Sequence, residues 1–83
     1  MQPPVKLYTL STCSHCKSTK KFLDECKVKY EFTDVDLLSA EEKKLIMEDI
    51  RNLNPQCTFP TIIIGDEVIV GFEENKIKKA LGL

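Results

Sequence analysis

The chain reads as a single α/β domain with the element order β-α-β-α-β-β-α. An alternating apolar run at residues 5–10 passes into a helical pattern, and a β-rich run at 28–35 follows it. A helix crossing between two strands makes a βαβ unit, so these strands are expected to be parallel with a right-handed crossover. Nearer the end, Gly65-Asp66 separates two β-type runs and marks a hairpin, which adds antiparallel pairing. The 83 residues allow one domain, 1–83, with a small core.

Each element has its own signal. Val5-Lys6-Leu7-Tyr8-Thr9-Leu10 alternates as a strand does. Over residues 14–26, Thr19, Phe22, Leu23 and Cys26 recur at helical spacing, and the lysines mostly fall elsewhere. Residues 28–35 are β-branched and aromatic, which predicts the second strand. Ser39-Ala40-Glu41-Glu42 has the form of a capping box, Leu45, Ile46, Ile50 and Leu53 continue as an apolar stripe, and Pro55 stops the helix. Residues 61–64 and 67–70 flank the hairpin turn. Ile62 to Ile64 is apolar at every position, as suits a central strand covered on both faces. Residues 73–81 close the chain as a helix, with Ile77, Ala80 and Leu81 inward and Gly82 just past its end.

Composition narrows the function. The net charge is −1, from 12 basic and 13 acidic residues, and no basic stripe accompanies the aromatics, so no nucleic-acid partner is expected. No segment is long and apolar enough to span a membrane. Met1-Gln2-Pro3-Pro4 lacks the basic and apolar regions of a signal peptide, so a cytoplasmic, reducing location is expected. Cysteines there are more often catalytic or metal-binding than structural. The four lie at 13, 16, 26 and 57: one tight pair and two loners. Structural zinc usually takes two close pairs, so the spacing suits a redox site better.

Cys13-Ser14-His15-Cys16 carries the chemistry. It follows the first strand and opens the first helix. Unsatisfied N–H groups at a helix start favour an anion, and the thiolate is the reactive form of cysteine. Cys13 is therefore the expected nucleophile, with Cys16 in reach to resolve what Cys13 attacks. His15 reads either as a solvated histidine or as a donor to the thiolate. Cys26 is expected to be buried as a small hydrophobe. Cys57 reads as a loop or core thiol, or as a third redox thiol. Lys17 and Lys20 read as a solvated cationic face.

At these residues the chain resembles the glutaredoxins. The resemblance rests on Thr12-Cys13-Ser14-His15-Cys16 with Lys20 in the same helix, on Thr58-Phe59-Pro60-Thr61, and on Val70-Gly71-Phe72-Glu73-Glu74. It covers nearly the whole chain. It implies the thioredoxin fold, a four-stranded mixed sheet with three flanking helices, and thiol–disulfide exchange through Cys13 and Cys16. It implies a cis bond before Pro60, and substrate or glutathione contacts at Thr12, His15, Thr58, Phe59, Pro60, Gly71, Phe72 and Glu73. The N–H groups of Phe72 and Glu73 are expected to hold a carboxylate such as glutathione's γ-glutamyl end. Relatives usually carry Lys or Arg where this chain has Leu10, and a small acidic turn where it has Phe72-Glu73-Glu74. The Gly71-Phe72 start looks like glutaredoxin-like proteins that take electrons from thioredoxin reductase. The implied partners are disulfide-containing proteins, with glutathione as a possible co-substrate or a thioredoxin-reductase-type donor. The implied state is a monomer that needs no metal or organic cofactor. Ser14, where proline is common, also fits relatives that hold a [2Fe–2S] cluster between two subunits, which is the alternative function.

Overall fold

The computed structural model describes residues 3–83. The elements are β1 (Val5–Thr9), α1 (Ser14–Glu25), β2 (Glu31–Asp34), α2 (Ala40–Leu53), β3 (Thr61–Ile64), β4 (Glu67–Val70) and α3 (Glu74–Leu81), with a 3-10 turn at Val35–Leu37. The strands form one mixed sheet in the order β2-β1-β3-β4. β1 runs parallel to β2, with Thr9 beside Asp34. It runs antiparallel to β3, with Tyr8 beside Thr61, and β3 pairs antiparallel with β4, with Thr61 beside Val70. This is the expected architecture.

The alternation of each strand sends side chains to two cores. Val5 and Leu7 of β1, Ile62 and Ile64 of β3 and Ile69 of β4 pack with Phe22 and Leu23 of α1 and Ile77 of α3. Tyr8 faces the other way and joins Val35 and Ile50, with Ile46, Met47, Phe59 and Ile63 packed against them. The apolar run Ile62 to Ile64 therefore serves both faces of the central strand.

Two boundaries differ from expectation. Residues 28–30 do not pair as strand. Lys27 turns the chain out of α1 with a left-handed φ of 58°, and the Val28 N–H closes back on the Leu23 carbonyl (3.0 Å). Val28 and Tyr30 are apolar because they pack against the first core at the end of the helix. Val35 belongs to the 3-10 turn, where it is fully buried. The cap of α2 holds as expected at Ser39, whose Oγ accepts the Glu42 N–H (3.3 Å). Glu42, however, takes the Ser39 hydroxyl (3.1 Å) in place of the Ser39 N–H.

The register decides where function can sit. The C-terminal ends of β1, β2 and β4 and the N-terminal end of β3 all fall at one edge of the sheet. Loops 10–13, 35–39, 54–60 and 71–73 leave from that edge.

Candidate active site

Cys13 occupies the N-cap of α1. Its backbone is extended (φ −81°, ψ 121°), and its N–H donates to the Leu10 carbonyl (3.2 Å) to close the loop after β1. Its Sγ accepts the Cys16 N–H at 3.2 Å. This is the bond that a Ser or Asp oxygen makes at an ordinary N-cap, here given to sulfur. Negative charge on that sulfur lies at the positive end of the helix dipole.

The two thiols are unequal. Cys13 is partly exposed, whereas Cys16 is 0% exposed. Burial, reinforced by hydrogen bonding with the Cys13 side chain, pushes the Cys16 thiol up to about 12. One sulfur is thus presented and the other held in reserve as a thiol.

The remaining expected residues divide into groups. Thr12 and His15 are exposed, and the His15 carbonyl accepts the Thr19 hydroxyl (2.8 Å). The Phe59–Pro60 bond is cis, as the resemblance implied. Phe59 packs on the second core, as does Leu10, the residue that starts the cysteine loop. Among the described residues none hydrogen-bonds the Phe59 main chain. The Pro60 carbonyl accepts the Gly71 N–H (2.9 Å), which joins the 58–60 segment to the 71–73 turn. Gly71 has a φ of 82°, a conformation open to glycine without strain.

The turn after Gly71 departs from expectation. The Glu73 N–H donates to the Gly71 carbonyl (3.1 Å), so it does not point outward as half of a carboxylate cradle. The Phe72 ring turns inward and meets Phe22 edge-on, with centroids 5.8 Å apart. The positive φ at Gly71 folds the turn back on itself, and the apolar ring follows the core. Cys26 is only half-buried, at the C-cap of α1. Cys57 is also half-buried and takes a left-handed φ of 51°, its N–H held by the Asn54 carbonyl (2.8 Å).

Three supporting groups are not apparent from the sequence pattern. Asn54, 3% exposed, donates through Nδ2 to Thr58 O (3.1 Å), Thr58 Oγ1 (3.1 Å) and Thr61 Oγ1 (3.3 Å), and its Oδ1 accepts the Gln56 N–H (3.2 Å). It fixes the loop that delivers Pro60. Asp36 accepts the Ser11 N–H (2.9 Å) and hydroxyl (2.5 Å), which tie the cysteine loop to the β2–α2 connection and hold the carboxyl below its usual range. Lys20 is not a solvated cation. Its Nζ pairs with Asp34 Oδ1 (3.3 Å) and lies 3.9 Å above the Phe32 ring centroid. The only hint of Asn54 is a polar residue ahead of Pro55 in a segment otherwise expected to end a helix.

Comparison with known proteins agrees with this geometry. The family profile described as Glutaredoxin matches residues 5–69. The chain belongs to the glutaredoxin family. An uncharacterized glutaredoxin-like 8.6 kDa protein of Clostridium pasteurianum is 32% identical over 77 residues, spanning 93% of this chain and 96% of that protein. Methanoredoxin of Methanosarcina acetivorans superposes with a TM-score of 0.92 at 44% identity, covering 99% of this chain and 87% of that one. A glutaredoxin of Methanosarcina mazei gives 0.89, also at 44%, over 98% and 80% of the two chains. As a glutaredoxin, this protein is an oxidoreductase, and Cys13 and Cys16 lie close together at the start of α1.

Proposed function

We propose that this glutaredoxin reduces protein disulfides or glutathione mixed disulfides by a dithiol mechanism. The observation that carries the reading is Cys13 Sγ at the N-cap of α1, accepting the N–H of a fully buried Cys16. The Cys13 thiolate attacks one sulfur of a substrate disulfide. A Cys13–substrate disulfide forms, and the other substrate sulfur leaves and takes up a proton. The Cys16 thiol then gives up its proton and attacks Cys13 Sγ. The Cys13–Cys16 disulfide closes, the second substrate thiol departs, and two electrons have passed to the substrate. This needs no metal or organic cofactor.

The free main chain of Phe59 suits an extended peptide laid across the site, held by added-strand hydrogen bonds. In this reading Thr12, His15, Thr58 and the Gly71 turn would flank the bound peptide. Glutathione or a thioredoxin-reductase-type protein restores the dithiol, in a reducing compartment such as the cytoplasm. No helix among the described residues is long and apolar enough to cross a membrane.

A coupled NADPH assay tests the reading. It is run with glutathione plus its reductase and, in parallel, with thioredoxin reductase. Turnover with either donor, abolished in Cys13→Ser, is expected. Cys16→Ser should lose protein-disulfide reduction and keep deglutathionylation. No turnover with either donor overturns the proposal. Anaerobic reconstitution with iron, sulfide and glutathione addresses the cluster-carrying alternative: a colourless monomer is expected, and a brown dimer would favour the cluster.

A further inference from the structure

Closing the active-site disulfide requires a thiolate at the least favourable place for one. Cys16 is fully buried, and burial opposes its ionisation. The charged and polar groups around it are few. Cys13 Sγ opposes its ionisation, and the Leu10 backbone N–H, which donates to the Cys16 sulfur, favours it. Thr9, also 0% exposed, lies on the face of β1 that packs on α1. The cation comes from Lys20, one helical turn after Cys16 and on the same face.

Lys20 is held, not free. Its Nζ pairs with Asp34 Oδ1 at 3.3 Å, with side-chain exposures of 22% and 17%. Asp34 is itself fixed by the Thr9 hydroxyl (2.5 Å), its register partner on β1. The Phe32 ring lies beneath Nζ, with its centroid 3.9 Å away. This ion pair lies against the helix face that carries the buried thiol.

We propose that Lys20, anchored by Asp34, is a positioning residue for the second half of the exchange: its cation favours the Cys16 thiolate as that sulfur turns on the Cys13 mixed disulfide. In that step the Cys16 S–H bond breaks and its proton passes to the departing substrate thiolate. The Cys16–Cys13 bond forms, and the Cys13–substrate bond breaks. Lys20 keeps its proton throughout. The role rests on the dithiol mechanism proposed above.

Reaction of the reduced protein with 5,5′-dithiobis(2-nitrobenzoate) separates the two halves. Attack by Cys13 releases one coloured thiolate in a phase that depends on reagent concentration. Closure by Cys16 releases a second in a phase that does not. Lys20→Met is expected to leave the first phase within about twofold and slow the second by about threefold. That figure assumes a tenfold loss of thiolate for one pKa unit, partly offset by the higher nucleophilicity of a more basic sulfur. The rate of closure should need a higher pH to reach its wild-type value, and Lys20→Arg should restore it. An unchanged second phase in Lys20→Met, or equal slowing of both phases, overturns the role of Lys20. A wild-type protein that shows no concentration-independent second phase fails earlier, at the dithiol mechanism itself.

Discussion

At the scale of single residues, the candidate active site holds two identical side chains in unequal surroundings. Cys13 is open to a reagent and Cys16 is sealed, with its thiol pushed up to about 12. Brief treatment of the reduced protein with iodoacetamide at pH 8 should modify Cys13 and leave Cys16 alkylated at least about a hundredfold more slowly, because so little of it is thiolate. Peptide mass mapping reads the outcome, and comparable labelling of the two would show that Cys16 is not shielded. The pair itself was legible in the sequence, since spacing and position at a helix start are local properties. The fate of Glu73 was not. Its N–H is taken by the Gly71 carbonyl through a φ of 82° that residue identity permits but does not dictate.

Among the elements, the segment between α2 and β3 has the most to position and the least regular structure. Asn54 replaces the missing ladder with side-chain bonds to Thr58, Thr61 and the Gln56 N–H. Several buried hydrogen bonds at about 1 kcal/mol each imply that Asn54→Ala destabilises by about 2–3 kcal/mol. For a domain of this size that is a fall in melting temperature of about 10 °C or more. Reductase activity should fall with it, as the loop that carries Phe59 and Pro60 loosens. A melting temperature within 1–2 °C of wild type would mean the loop is held by other contacts. Sequence periodicity found all three helices because their apolar stripes are local. It overextended the second strand because Val28, Tyr30 and Val35 are apolar for packing at loop positions, where alternation carries no information.

For the whole molecule, the buried thiol links redox chemistry to stability. Lys20, Asp34 and Thr9 are scattered in the chain and meet only through the β1–β2 register, so their cluster could not be read from spacing. The consequence of enclosing Cys16 can be measured. Its folded-state pKa lies above the unfolded value of about 8.5, so the unfolded chain loses this proton first as pH rises. The stabilisation from keeping Cys16 neutral is therefore complete below about pH 8.5 and is lost between there and about 12, at up to about 1.4 kcal/mol per pH unit. Urea unfolding of the reduced protein at pH 8 and pH 10 should show a drop about 2 kcal/mol larger than in Cys16→Ser. Tyr30, which burial also shifts upward, and the lysines are common to both proteins and cancel in that difference. Parallel losses in the two proteins would mean that Cys16 ionises as readily in the fold as in the unfolded chain, and the reserve thiol would then be no reserve at all.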